Sequence, residues 1–150
     1  MRIAVRGVLL AAVLVLGLPA AAQAVERPSP FPFHWGKIRS ASGHSGHARV
    51  DAWVTAFNEK HFQTYGSLYD RDRHAGHCAS VQARFHYSDS RGGTGRSKPR
   101  RACGPEKKGF LFESARPVKW LDLKVCVYRP AGGTVAHCRT ERIRDEDFAW

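Results

Sequence analysis

An all-β fold, a small antiparallel sandwich or barrel of roughly five to seven strands, is predicted for this chain by three observations. Short segments alternate apolar and polar residues with a period of two, most cleanly from Ala79 to Tyr87. No segment sustains a 3.6-residue period between helix caps. Turn signals rich in glycine and proline, such as Pro130-Ala131-Gly132-Gly133, separate the alternating segments.

Taken in order, residues 1–24 read as a signal peptide. Arg2 and Arg6 precede an apolar run from Val8 to Leu18, and Pro19 ends it. Ala22 and Ala24 then satisfy the small-x-small cleavage rule. The run falls short of the roughly 20 apolar residues a membrane span needs, so the expectation is secretion without membrane insertion. Residues 25–47 read as a flexible arm, because Pro28, Pro30 and Pro32 favour an extended backbone and residues 40–47 are small and polar.

The strands follow. Arg49 to Phe57 places Val50, Ala52, Val54 and Ala56 on one face, with Trp53 and Phe57 on the other. His61 to Tyr69 is rich in aromatic and β-branched residues. Ala79 to Tyr87 sends Val81, Ala83, Phe85 and Tyr87 one way and Ser80, Gln82, Arg84 and His86 the other. Gly109 to Ser114 holds Phe110, Leu111 and Phe112. Val118 to Tyr128 aligns Leu121, Leu123, Val125 and Val127, and Val135 to Ile143 closes the β domain of residues 48–143. Residues 144–150 mix charges and read as a tail.

Four cysteines in an exported chain imply two disulfides. A hairpin centred on Gly132 sets Cys126 opposite Cys138, since paired strands bring Cβ atoms within bridging distance. Cys78 is then left to Cys103.

The formal charge is +11, from 24 lysines and arginines against 13 acidic residues. Arg91, Arg96, Lys98, Arg100 and Arg101 gather in a glycine-rich, mobile loop suited to anionic ligands such as a wall polymer or an acidic protein surface. No aromatics interleave them, so specific nucleic-acid recognition is not indicated. His44 with His47, and His74 with His77, have chelating spacing, but Cys78 is claimed by a disulfide and no further ligands complete a shell. No metal or cofactor is expected. Asp70 and Asp72 read as aspartate caps of a turn. Neither a nucleophile–base set nor a phosphate loop is present, so the expected function is non-enzymatic binding. A basic ribonuclease-like hydrolase is the alternative, with His86 and His137 as the residues to test. In the arm, Phe31, Phe33, His34 and Trp35 either fold back on the sheet or anchor a partner. If they anchor a partner, deleting residues 25–40 should leave the fold intact.

The run Gly66-Ser67-Leu68-Tyr69-Asp70, then Gly76-His77-Cys78, the strand to Tyr87, Ala102-Cys103-Gly104 and a final hairpin with one cysteine per strand together resemble small secreted two-disulfide proteins of Streptomyces and related actinobacteria. In size, export and all-β character the chain also resembles the strap subunit of actinobacterial umbrella toxin particles. That resemblance implies an adaptor that links a lectin-like partner to a toxin through an extended N-terminal segment, here residues 25–40.

Overall fold

The computed structural model describes residues 31–58 and 60–148. Residues 1–24, expected to be a signal peptide, and residues 25–30 of the arm lie outside them. Among the described residues nine strands run in chain order: β1 (Phe33–Arg39), β2 (Gly46–Phe57), β3 (Phe62–Asp72), β4 (Cys78–Tyr87), β5 (Thr94–Arg96), β6 (Arg100–Ala102), β7 (Lys108–Ser114), β8 (Val118–Arg129) and β9 (Thr134–Arg144). Seven are seven residues or longer; β5 and β6 have three each. All pairings are antiparallel. One sheet has the order β1-β2-β3-β7, and the other β5-β4-β8-β9 with β6 also on β4. The all-β sandwich expected from the alternation is the fold observed. No helix among the described residues is long and apolar enough to cross a membrane.

The period-two pattern explains the core. Val50, Ala52 and Val54 of β2, Phe62 and Leu68 of β3, Val81 and Phe85 of β4, and Leu121, Leu123 and Val125 of β8 all turn inward and are buried. Each large side chain so buried contributes about 1.5–3 kcal/mol. Gly66 is needed because a Cβ there would lie 2.1 Å from the Asp51 carbonyl and 2.7 Å from the Phe110 ring, which packs over it.

Both disulfides pair as expected, Cys78 with Cys103 and Cys126 with Cys138. The first continues the β4–β6 ladder one step past the Ala79–Ala102 pair. The second sits where the β8–β9 register shifts between Val125 and Val127, because β9 carries an extra residue there. Within that bulge His137 has φ of 50°, and its ring packs against Gly43.

Three segments expected to be a flexible arm, a tail and a mobile loop are built into the fold. From Phe33 onward the arm is a strand along β2, so deleting residues 25–40 would strip an edge from the sheet. Phe31, Phe33 and Trp35 pack on the core and surround Phe148, with ring centroids 5.2, 5.0 and 5.9 Å from it. Phe57 lies 5.7 Å away on the same ring. Phe148 itself is 1% exposed, so residues 144–148 are no free tail. The apolar rings outweigh the stiffness of the prolines and the charges around Phe148, because burial in one cluster removes them all from water. The glycine-rich loop is likewise tied down: β5 and β6 both pair with β4. Asp89 braces its start, accepting hydrogen bonds from Arg116 Nε (2.8 Å) and an Arg116 terminal nitrogen (2.7 Å).

Candidate functional site

The odd-numbered positions of β3, and those of β2 up to the register shift between Val54 and Ala56, face away from the core and form an outer face on the β1-β2-β3-β7 sheet. His34, Trp53, Tyr65 and Leu111 are successive register partners there, one per strand. At about 4.8 Å between strands this row runs roughly 14 Å across the whole sheet. The His34 ring stacks on Trp53 at 4.2 Å, and its Nε2 lies 2.6 Å from Asp51 Oδ1. Tyr65 is 40% exposed and Leu111 46%, which makes them two of the most exposed large apolar side chains described. Contiguous apolar area on a small soluble domain marks a contact surface more often than isolated exposed residues do.

Further along the same face, toward Gly46, the chemistry becomes cationic. Arg39 is the register partner of Arg49, and His47 that of Arg71. The Arg49 guanidinium lies over the Tyr69 ring at 4.2 Å and that of Arg71 at 5.5 Å, both cation–π contacts. Burial pushes the His47 imidazole below its ordinary pKa, and the charges of Arg39, Arg49 and Arg71 push it the same way, against a smaller opposing pull from Asp72. His47 is therefore neutral at physiological pH, in a strongly positive local field.

Sequence reading had placed the candidate residues elsewhere. Of the arm residues, Phe31, Phe33 and Trp35 lie against the core, and only His34 joins the outer row. The basic segment is divided in two. Arg96, Lys98 and Arg100 line one shallow recess beside Leu111, and Arg96 also borders a depression of about 260 Å³ with Arg84, Lys124 and Asp122 on the β4–β8 face. Arg101 lies over the Tyr128 ring at 3.7 Å, and Arg91 is exposed. An extended chain turns successive residues to opposite sides, which keeps the three alternate cations together and sends Arg101 away from them.

The histidines fall into separate settings. His86 Nε2 lies 2.8 Å from Asp122 Oδ2, and its ring stacks on Trp120 at 4.5 Å. His137 stands near the opposite end of that sheet, beside the register partners Val127 and Ala136, so the two do not form an acid–base pair. His74 and His77 stack at 4.2 Å, and His77 Nδ1 lies 3.0 Å from Asp72 Oδ2. Asp70 and Asp72 cap the turn as expected: Asp70 Oδ1 accepts from the Asp72 amide, and Asp72 Oδ1 from the His74 amide.

What sequence reading missed is the outer row and the arginines beside it. Their signal was present as outward positions in alternating strands, but only the register of four strands brings residues 34, 53, 65 and 111 into line. No protein-family model matches the chain, and neither a curated protein nor a solved structure is similar to it.

Proposed function

We propose that this chain is a secreted, non-enzymatic adaptor that docks a secreted protein partner through the outer face of the β1-β2-β3-β7 sheet. The observation that carries the reading is the row His34, Trp53, Tyr65 and Leu111, with Tyr69 and the arginines beside it. Tyrosine, tryptophan and arginine dominate the energy of protein interfaces, and lysine, glutamate and aspartate are depleted at their centres. The fitting partner carries an apolar patch for the row and acidic groups for Arg39, Arg49 and Arg71. The two disulfides suit an oxidising exterior. The likeness to strap subunits implies a lectin-like partner. The aromatic arm loses its place as the contact element, because its rings are spent on the core.

The test is recovery of the tagged chain from its own culture medium, in its natural form and as the Tyr65→Ser, Leu111→Ser double variant. The natural chain should carry one stoichiometric protein partner. The double variant should lose that partner while keeping its disulfides and thermal transition. Retention of the partner by the double variant would move the contact to another surface.

A further inference from the structure

We infer that the open, Gly46 end of the sandwich is a binding site for a phosphodiester backbone, of the polyol-phosphate kind that carries no bases. The site is a cleft of about 690 Å³ between the β1–β2 and β2–β3 pairings and the turn at Cys103. Arg39, Arg49, Arg71 and Arg73 line it. Among the described residues none of the four has a carboxylate within 4.0 Å.

The carboxylates that share the cleft are already occupied. Asp70 Oδ2 accepts from the Gly104 amide at 3.1 Å, and Asp72 is held by the His74 amide and His77. They shape the walls and offset part of the charge, and four guanidinium groups against two carboxylates leave the cleft net positive. A further sign is Arg49 Nε, a buried donor with no hydrogen-bond partner among the described residues. Buried donors are nearly always paired, so a turn of this guanidinium off the Tyr69 ring toward the cleft would let a ligand supply the missing acceptor.

Phosphate suits four convergent arginines better than a carboxylate does, because its tetrahedral oxygens accept from several guanidinium forks at once. The cleft is also far larger than a single phosphate, leaving room for chain on either side. No Phe, Tyr or Trp platform for bases lines it, and the rings of His74 and His77 are stacked on each other at 4.2 Å. His47 sits at the junction of these charges. Arg39 faces it from β1, Arg49 from its own strand, and Arg71 and Asp72 from β3. An anion in the cleft offsets the arginines and returns the His47 titration toward higher pH.

The experiment titrates the disulfide-intact chain with oligo(glycerol phosphate), inorganic phosphate and oligouridylate by calorimetry, following the His47 ring by NMR. Oligo(glycerol phosphate) should bind most tightly, move the His47 titration upward and weaken with added salt. The exposed pair Arg71→Ala, Arg73→Ala should cost roughly tenfold or more in affinity, since each removes a charge-assisted fork. The Tyr65→Ser, Leu111→Ser variant should bind as well as the natural chain, which separates the cleft from the apolar row even though the adaptor reading shares Arg39, Arg49 and Arg71 with it. Failure to bind, binding indifferent to Arg71 and Arg73, an unmoved His47, or tighter binding of oligouridylate would each overturn the proposal. A response to inorganic phosphate alone would overturn its polymeric ligand.

Discussion

The two ends of the sandwich are built on opposite terms. At one end Phe31, Phe33, Trp35, Phe57 and Phe148 close around each other with ring centroids of 5.0–6.4 Å. At the other, four arginines and three histidines surround a cleft. The aromatic end gains stability from every contact and offers a ligand nothing. The basic end gives up stability to burial and to like-charge crowding: burial first, and then the charges of Arg39, Arg49 and Arg71, depress the His47 titration. An excess of crowded positive charge is the kind of local cost a fold retains where something binds.

This contrast can be broken or sharpened by substitution. The largest effect should come from Phe148→Ala, which empties the centre of the aromatic end and should cost about 3–5 kcal/mol in chemical denaturation. A loss below 1 kcal/mol would mean that the ring does not plug the core. Next, replacing Cys126 and Cys138 together by alanine reopens a loop of 12 residues and should cost about 3 kcal/mol. The hairpin register should survive in hydrogen exchange.

A smaller effect is pH-dependent. Burial raises the Asp122 carboxyl, but hydrogen bonds from Arg142 and His86 outweigh it and hold the group below the usual carboxylate value. Asp72 is lowered in the same way, its burial outweighed by hydrogen bonds from Ser45, His74 and His77. A depressed folded pKa gives stability that is full above the unfolded value, about 3.9, and is lost as pH falls through the folded one. Thermal stability should therefore drop on acidification below about pH 4, and less steeply in Asp122→Asn. The smallest change in stability should come from Arg71→Ala, within about 0.5 kcal/mol of the natural chain, because its side chain is exposed and makes no ion pair. A loss comparable to that of Phe148→Ala would erase the distinction between the two ends.

The two ends were not equally legible in the sequence. Wherever one face of a strand is buried throughout, as from Val81 to Phe85, alternation alone gave both the strand and its inward residues. The hairpin at Gly132 was legible enough to pair its cysteines, although the bulge at His137 was not. β1 was hidden because Pro32 and Gly36 interrupt its pattern. Phe148 was hidden because a single ring among charged residues has no period. Neither deficit is local: the rings find each other only after β1 lies along β2. The arginine cleft was hidden for a related reason. Arg39, Arg49 and Arg71 are far apart in sequence and meet through register, whereas of the five cations from Arg91 to Arg101, all close in sequence, only Arg96, Lys98 and Arg100 share a recess.

The register shifts at the sheet edges have a consequence for assembly. β1 is interrupted between His34 and Gly36, β9 opposite Val125 to Val127, and the edge beyond β4 is two three-residue pieces. Broken and shortened edges give an incoming strand no continuous row of amides and carbonyls to zip onto. The remaining edge is different: β7 pairs with β3 over seven residues without a break, and it carries the exposed Leu111. Addition of a strand, from a second copy or from a partner, is thereby steered to that edge and discouraged at the other three.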